Sequence, residues 1–357
     1  MRDEAIEPFD KRPRAVVLGC AGERLSPEET RFFAAVDPLG FVLFGRNCRS
    51  RDQLRDLVAE LRGAVGRPDA PVLIDQEGGR VARLKPPEWR AYPAAAQLAA
   101  LPDPLAFEAA RLSARLIADD LSALGITIDC APVLDLPTRD ADPVIGDRAW
   151  GNEAARVARL GRAFCDGLLA GGVLPVIKHI PGHGRARVDT HKALPRVDTS
   201  RPILSSSDFA PFRALSAMPW AMTAHIVFTA IDDAAPATFS RKVVDTVVRG
   251  DIGFGGVLIS DDVSMGALDG TLAERTCRAL DAGCDLALHC NGVLSEMEEV
   301  AGAAPPLSPS AQARVIRGEA MRRRWRQDID RRAAGLRFAE LIGGRADRPS
   351  GRDPTRA

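Results

Sequence analysis

Residues 256–259 read Gly256-Val257-Leu258-Ile259, and the polar segment Ser260-Asp261-Asp262 follows them immediately. The apolar run shows no alternation of apolar and polar residues, which favours a parallel strand that is buried on both faces. The segment Ala15-Val16-Val17-Leu18, near the start of the chain, has the same character. Both runs therefore predict buried strands of a parallel sheet.

Outward from these two runs, short apolar segments alternate with longer amphipathic ones along the whole chain. Cap residues mark several helix starts, such as Ser26 with Pro27 behind it and the capping box of Ser50 and Gln53. Further helices are predicted over Leu105–Leu124, Glu153–Ala170, Ser207–Ala217, Arg241–Arg249, Leu272–Ala282 and Ser310–Ile342. Eight strands are predicted over Ala15–Cys20, Phe41–Phe44, Val72–Asp75, Thr127–Val133, Leu174–His179, Ala221–Ile226, Val257–Ser260 and Leu286–His289.

Eight strand–helix alternations predict an α/β fold, a single (β/α)8 TIM barrel, better than they predict an open sheet. The active site of such a barrel lies at the C-terminal face of the strands. Because no linker-like stretch interrupts the interior, we predict one catalytic barrel domain over residues 1–342. Residues 343–357 are rich in Gly, Arg, Asp and Pro, and we predict a disordered polar tail there.

The composition argues against several classes of function. Lys+Arg and Asp+Glu each number 48 among 357 residues, so the zero net charge does not favour a nucleic acid or an anionic membrane as partner. The seven cysteines form no Cys-x-x-Cys pair, which favours reduced thiols in a cytosol. The N-terminus has no apolar signal region, and no apolar run approaches the ~20 residues of a membrane span. We therefore expect a cytoplasmic protein, and we expect it to be a monomer.

Histidines follow the predicted strands at the end where a barrel carries its chemistry. A single histidine there is most simply a structural residue. All five histidines of the chain lie at these ends, and together they indicate an active site without specifying its reaction. They are His179, His183, His191, His225 and His289.

Asp189 and His191 lie two residues apart in a predicted loop, and side chains at positions i and i+2 of an extended segment point the same way. Asp189 can then bind one ring nitrogen and leave the other for a substrate. Because a carboxylate stabilises the protonated ring, His191 is a candidate general acid. The alternative is an Asp–His pair that only pins the loop.

Asp261 ends an apolar strand, where a carboxylate is costly to bury without a function, and it is a candidate nucleophile or electrostatic stabiliser. Asp262 beside it is expected to point elsewhere, toward a loop amide or the barrel wall. Asp75 ends the third strand in the same manner. Glu77 is expected to differ from Asp75 in direction and to have a structural role.

Three basic residues near the strand ends, Arg83, Arg148 and Lys178, can donate hydrogen bonds to sugar hydroxyls or to a ring-borne carbonyl. For Arg148 the alternative is a surface salt bridge with Asp147 or Glu153.

Several motifs resemble those of family 3 β-N-acetylhexosaminidases. Residues 178–184 read Lys-His-Ile-Pro-Gly-His-Gly and residues 189–191 read Asp-Thr-His, where the family has Lys-His-Phe-Pro-Gly-His-Gly and Asp-Ser-His. Residues 260–265 resemble the family's nucleophile segment, and residues 75–84 and 40–47 resemble its third-strand and second-strand motifs. Because these independent motifs occur in the same order over residues 15–292, the resemblance is specific.

The resemblance implies a retaining glycosidase without cofactor or metal. Its implied substrate is a muropeptide of peptidoglycan recycling, N-acetylglucosaminyl-β-1,4-1,6-anhydro-N-acetylmuramic acid with or without a stem peptide. It makes Asp261 the nucleophile, His191 the acid/base and Asp189 the partner of His191. The implied sugar-binding residues are Asp75, Arg83, Arg148, Lys178 and His179.

Three positions differ from the family motifs. Ile180 replaces Phe and Thr190 replaces Ser, and both changes are conservative. Arg185-Ala186 stands where the family usually has Asp-Thr. This last difference leaves open the conformation of the loop between His183 and Asp189.

Two other functions are alternatives. A metal-dependent TIM-barrel hydrolase would use His179, His183, His191 and Asp189 as ligands, but such barrels usually carry a His-x-His pair on an early strand, which this chain lacks. A sugar-binding module without activity would not need the complete set of Asp189, His191 and Asp261. Water and phosphate both remain open as acceptors of the sugar.

Overall fold

The computed structural model describes residues 12–343 and Asp353. Eight strands form a closed barrel in which every neighbouring pair is parallel and the last strand pairs with the first. This confirms the predicted (β/α)8 TIM barrel. The strands are β1 (Arg14–Leu18), β2 (Pro38–Leu43), β3 (Val72–Ile74), β4 (Ile128–Asp129), β5 (Leu174–Ile180), β6 (Trp220–Thr223), β7 (Val257–Asp262) and β8 (Leu286–His289).

Each predicted strand overlaps an observed one, and the largest difference is in β4. This strand is predicted over Thr127–Val133 but covers only Ile128–Asp129. Val133 makes one further parallel bridge to β5, at Lys178. Pro132 lies between the two paired parts and has no amide hydrogen to donate, so the ladder is interrupted there.

Two short ribbons are added at the C-terminal ends of the barrel strands. An antiparallel ribbon of Gln76–Gly78 and Val81–Ala82 follows β3 directly. A parallel ribbon joins Arg196–Val197 to Val227–Phe228, which come after β5 and β6 respectively. Both ribbons therefore belong to the face that is predicted to carry the active site.

The helices lie between the strands, and two of them begin at the predicted capping residues. Ser26 and Ser50 each accept a hydrogen bond from the amide of the residue three positions on, whose side chain bonds back. The helices are Pro27–Val36, Arg51–Ala64, Ala95–Ala99, Leu105–Ser122, Ala154–Ala170, Arg201–Ser206, Ala210–Ala214, Arg241–Val243 with its π-helical continuation Val244–Asp251, Leu272–Ala282, Leu294–Ala303, Pro309–Trp325 and Arg331–Ile342.

Two helix predictions are wrong in their extent. The helix predicted over Ser207–Ala217 covers only Ala210–Ala214, and a separate helix, Arg201–Ser206, precedes it. A continuous helix through Ser207 is disfavoured, because the ring of Pro211 would clash with the Ser207 carbonyl. The helix predicted over Ser310–Ile342 is two helices. The second one begins at Asp330, whose side chain accepts the amide hydrogen of Ala333.

The limits of the domain remain a prediction. Most of the predicted tail, residues 344–352 and 354–357, lies outside the described residues. Gly343 ends the last helix, and Asp353 is described separately. Within the described part of the chain, no helix is both long enough and apolar enough to cross a membrane.

Candidate active site

A cavity of about 330 Å³ lies at the C-terminal ends of the barrel strands. Two of the predicted site residues, Arg83 and Asp189, lie behind its lining and hydrogen-bond to lining residues. The barrel thus brings the whole predicted set to one place. The predicted residues that line the cavity are Asp75, Arg148, Lys178, His179, His191 and Asp261.

One wall of the cavity is a network of ion pairs around Lys178. We call it the sugar wall, after the sugar-binding role that the sequence predicts for most of its members. The Nζ atom of Lys178 lies 2.8 Å from Asp75 Oδ1 and 2.6 Å from Glu77 Oε1. Asp75 also accepts a hydrogen bond from Arg83 at 3.0 Å, and Glu77 accepts two from Arg148 at 2.8 and 2.9 Å. All five side chains are largely buried, so their geometry is held by charge-assisted hydrogen bonds in a low dielectric.

The same contacts keep the sugar wall ionised. Burial alone would raise the pKa of Asp75, but Lys178 and Arg83 hold that pKa far below its ordinary value. Burial is also outweighed at Glu77, where Arg148 and Lys178 lower the pKa to about 2. Burial would lower the pKa of Lys178, and the two carboxylates raise it instead. At neutral pH the wall therefore presents fixed charges to a polar ligand.

The expectation that Glu77 differs from Asp75 in direction is wrong. Both carboxylates reach Lys178. The ribbon Gln76–Gly78 is extended, and in an extended chain the side chains of residues two positions apart point to the same side. Glu77 lies behind the cavity lining, so its contacts with Arg148 and Lys178 support the sugar wall from outside.

The surface salt bridge with Asp147 or Glu153, the alternative role for Arg148, is not observed. Arg148 pairs with Glu77, while Asp147 pairs with Arg80 and Glu153 caps its own helix. Arg148 is buried rather than on the surface.

His179 belongs to an Asp–His pair that the sequence did not single out. Its Nδ1 lies 2.7 Å from Asp135 Oδ2, and Asp135 Oδ1 accepts the amide hydrogens of His179 at 3.2 Å and His183 at 2.6 Å. Although burial raises the pKa of Asp135, these histidines bring it below its ordinary value. The ionised carboxylate holds Nδ1 and leaves Nε2 of His179 for the cavity. Asp75 was identified because it is a carboxylate at the end of a predicted strand. The same signal, a carboxylate soon after the fourth strand, could have identified Asp135.

Asp261 lies near the end of β7 and is partly exposed where it lines the cavity. Its Oδ1 accepts the amide hydrogen of Asp262 at 2.9 Å. Burial raises the pKa of Asp261, but the nearby His179 and His225 outweigh it and lower the pKa below its ordinary value. The carboxylate is therefore ionised at neutral pH, as a nucleophile must be.

Asp262 also borders the cavity, but its carboxylate is bound to the following turn. It accepts the amide hydrogen of Ser264 at 2.9 Å and the hydroxyl hydrogen of Ser264 at 2.7 Å, which confirms the expected contact with a loop amide. The Nε2 atom of His225 lies 3.0 Å from the Asp262 carbonyl oxygen. These contacts fix the backbone on which Asp261 stands.

Asp189 and His191 form the predicted pair on the loop after β5. The Nδ1 atom of His191 lies 2.7 Å from Asp189 Oδ1, which also accepts the His191 amide hydrogen at 3.0 Å. Burial raises the pKa of Asp189, and the hydrogen bonds from His191 lower it below its ordinary value. Because the ionised carboxylate holds a proton on Nδ1, Nε2 is the nitrogen that can exchange a proton with a ligand.

Hydrogen bonds hold the residue between the members of this pair. The carbonyl oxygen of Thr190 accepts the amide hydrogen of Ala267 at 3.0 Å. The hydroxyl group of Thr190 lies 3.3 Å from Nε2 of His183. The loop therefore rests on the turn after β7, which carries Asp261, and on the end of its own strand.

Two glycines let the backbones around the loop approach each other. A Cβ atom at Gly266 would lie 2.7 Å from the carbonyl oxygen of His191. A Cβ atom at Gly184 would lie 2.0 Å from the carbonyl oxygen of Leu136. No side chain fits at these distances, so both positions require glycine.

Arg185 and Ala186, which differ from the family motif, anchor the loop on its outer side. The Nε atom of Arg185 donates to Asp208 at 2.8 Å, and its guanidinium also reaches Ser207 at 3.2 Å. Ala186 is buried, and its carbonyl oxygen accepts the amide hydrogen of Asp142 at 2.8 Å. The conformation that the sequence left open is thus one in which Arg185 is bound to Asp208 and does not line the cavity.

The metal-dependent alternative is not favoured. Across residues 12–343 and Asp353, no group of three His, Cys, Asp or Glu side chains is arranged to hold a metal ion.

Comparison with known families identifies the arrangement. The model of the glycosyl hydrolase family 3 N-terminal domain matches residues 26–317. The chain belongs to glycoside hydrolase family 3. The match includes the segments that carry Asp75, Asp189, His191 and Asp261.

Relatives of this family 3 enzyme agree with that assignment. It is 40% identical over 283 residues to a β-hexosaminidase of Alkalilimnicola ehrlichii, which covers 77% of this chain and 80% of the relative. It is 34% identical over 339 residues to a β-hexosaminidase of Pseudomonas aeruginosa, which covers 92% of this chain and 99% of the relative.

Solved structures are similar along almost the whole chain. NagZ from Neisseria gonorrhoeae in complex with N-trifluoroacetyl-D-glucosamine has a TM-score of 0.82 at 33% identity, over 94% of this chain and 100% of that one. A β-N-acetylglucosaminidase from Paenibacillus has a TM-score of 0.76 at 31% identity, over 94% of this chain and 62% of that longer chain. These similarities confirm a glycosidase of the β-N-acetylhexosaminidase class, NagZ type.

Proposed function

We propose that this family 3 enzyme is a retaining exo-β-N-acetylglucosaminidase of peptidoglycan recycling. Its substrate is the terminal, non-reducing, β-1,4-linked N-acetylglucosamine of muropeptides that contain 1,6-anhydro-N-acetylmuramic acid, with or without the stem peptide. The observation that carries the proposal is that Asp261 and the Asp189–His191 pair meet at one cavity, because a retaining glycosidase needs one nucleophile and one acid/base. The enzyme acts as a cytoplasmic monomer without a cofactor, and neither nucleic acid nor membrane is a partner.

In the first step, the Asp261 carboxylate attacks the anomeric carbon while His191 gives a proton from Nε2 to the leaving oxygen. The glycosidic C–O bond breaks, and an ester bond between the sugar and Asp261 forms. Such positioned proton transfer contributes about 10²–10⁴-fold, or roughly 3–5 kcal/mol. Asp189 stabilises the ring while it carries the proton.

In the second step, His191 is neutral because it has just given up its proton. It removes a proton from water, and the water oxygen attacks the same carbon and releases the Asp261 carboxylate. Two successive inversions leave the anomeric configuration unchanged. His191 returns to its protonated form for the next turnover.

The sugar wall supports a terminal N-acetylated sugar as the bound group. Asp75 can accept hydrogen bonds from sugar hydroxyls, and Lys178, Arg148 and His179 can donate them. Support for the amide group comes from NagZ of Neisseria gonorrhoeae, whose solved complex holds N-trifluoroacetyl-D-glucosamine. The volume of about 330 Å³ is at the small end for ligand cavities, which favours one sugar ring over a run of sugars.

We expect the purified enzyme to split N-acetylglucosaminyl-1,6-anhydro-N-acetylmuramic acid into its two sugars and to leave the interior of a long glycan uncut. The products are identified by liquid chromatography with mass spectrometry. A chromogenic β-N-acetylglucosaminide should be hydrolysed, and the matched β-glucoside, which lacks the amide, should not. Internal oligosaccharides among the products would contradict the exo mode.

A deletion strain should accumulate the anhydro-disaccharides, and a protein found only in the periplasm would contradict the cytoplasmic assignment.

Phosphate is expected to compete with water for the glycosyl-enzyme, at least weakly. A carboxylate base would repel an anionic acceptor, whereas neutral His191 does not. The charge of Asp189 lies behind the ring, on the Nδ1 side, and is therefore farther from the acceptor. N-acetylglucosamine 1-phosphate should appear beside N-acetylglucosamine in mass spectra as phosphate is added. Sulfate at the same ionic strength is the control, and the absence of any sugar phosphate would refute the prediction.

A further inference from the structure

Arg83 connects the sugar wall to Asp353, a residue near the end of the sequence. One terminal nitrogen of its guanidinium lies 3.0 Å from Asp75 Oδ2, and the other lies 2.5 Å from Asp353 Oδ2. Arg83 and Asp353 are 270 positions apart in sequence. Their side chains are only 2% and 5% exposed, so this ion pair is enclosed and is not a surface contact.

We propose that Asp353 is a positioning residue for the sugar wall. It holds the Arg83 guanidinium in the orientation that supports Asp75, and it thereby sets the affinity for the terminal sugar. The inference rests on the proposed function, because it takes the sugar wall to be the surface that binds the sugar. Asp353 lies outside residues 26–317, which match the family model, so the family resemblance does not assign it this role.

The position of Asp353 favours a role in supporting Arg83 over a role in blocking the cavity that would hold the sugar. Asp353 and Arg83 line a second cavity of about 420 Å³, and neither lines the cavity at the C-terminal ends of the strands. The ring of Phe44 borders both cavities, and the Arg83 guanidinium lies 4.8 Å from its centroid. Arg83 is thus held by Asp75, by Asp353 and by an aromatic ring, while the place of a sugar stays open.

The charges of the network agree with this role. Among the described residues, the ion pairs of the sugar wall join three cations, Arg83, Arg148 and Lys178, to the two carboxylates of Asp75 and Glu77. Asp353 adds a third carboxylate to the same chain of contacts, and the formal sum becomes zero. Without it, Arg83 would compete more strongly with Lys178 for Asp75, and a buried charge that loses a partner is costly.

The test compares variants of the full-length enzyme on a chromogenic β-N-acetylglucosaminide. Asp353→Asn should raise KM about ten-fold, the scale of one charge-assisted hydrogen bond, with kcat nearly unchanged. Asp353→Glu, which keeps the charge, should restore a KM close to that of the wild type. Asp328→Asn, which makes the same change at an exposed aspartate outside the sugar wall, is the matched control and should leave KM unchanged. Equal melting temperatures show that the variants are folded.

A double-mutant cycle with Arg83→Gln tests the route of the effect. Arg83→Gln should raise KM by itself, and Asp353→Asn should add nothing in that background. The role proposed for Asp353 is refuted, while that of Arg83 stands, if Arg83→Gln raises KM and Asp353→Asn leaves it unchanged. Additive effects of the two substitutions would also refute it. If Arg83→Gln leaves KM unchanged, Arg83 does not support sugar binding through Asp75, and the inference fails with it.

Discussion

Replacement of Asp261 by asparagine should reduce turnover by at least about 10⁴-fold, because an amide cannot form the ester with the anomeric carbon. The barrel should stay folded, since the amide oxygen can still accept the Asp262 amide hydrogen. The measurements are kcat on a chromogenic β-N-acetylglucosaminide and the melting temperature. In the wild type, a 2-fluoro sugar that slows the second step should leave a covalent adduct on Asp261, which peptide mass spectrometry locates.

The neighbouring carboxylate provides the matched control. Asp262→Asn alters a side chain that binds Ser264, so it should disturb the turn and reduce turnover far less than Asp261→Asn. Asp261→Ala, which cannot revert by deamidation, should be as inactive as the asparagine variant. An inactive Asp262→Asn enzyme beside an active Asp261→Asn enzyme would reverse the assignment of the nucleophile.

Loss of the proton donor should depend on the leaving group. His191→Ala should slow the first step by about 10²–10⁴-fold for aryl glycosides with poor leaving groups, which need full protonation, and far less for good ones. Asp189→Ala should show the same trend with smaller losses, because it removes only the group that stabilises the protonated ring. The measurement is kcat/KM across a series of aryl β-N-acetylglucosaminides of graded leaving-group pKa.

The second Asp–His pair of the site makes the comparison specific. Asp135 holds His179 as Asp189 holds His191, with 2.7 Å between carboxylate and Nδ1 in both pairs. His179 is proposed to contact the bound sugar rather than the leaving group, so His179→Ala should reduce the rate equally across the series. A uniform loss for His191→Ala as well would show that the Asp189–His191 pair acts only in loop structure.

The strands were predictable because burial on both faces requires continuous runs of apolar residues, and such runs are visible in the sequence, as in the strand Val257–Ser260. The helix ends were less predictable where two signals compete. The segment after Pro309 has helical character up to Ile342, but the capping side chain of Asp330 begins a new helix within it. The helix Leu294–Ala303 was not predicted.

The site was predictable to the level of which residues meet, because a barrel gathers the ends of its strands. Which side chains pair with each other could not be predicted from the sequence. The joint contact of Asp75 and Glu77 with Lys178 depends on an extended ribbon that the residue spacing does not reveal. The contact between Arg83 and Asp353 spans 270 positions, and no local pattern encodes a pair that distant.

The close backbone contacts at Gly184 and Gly266 bear on how this enzyme tolerates mutation. Even one methyl group would collide with a carbonyl oxygen at either position, although neither glycine carries a group that takes part in the reaction. A saturation library should therefore lose activity at these glycines as completely as at Asp261. Mutational intolerance in this barrel therefore reports where two layers of main chain touch as well as where chemistry occurs.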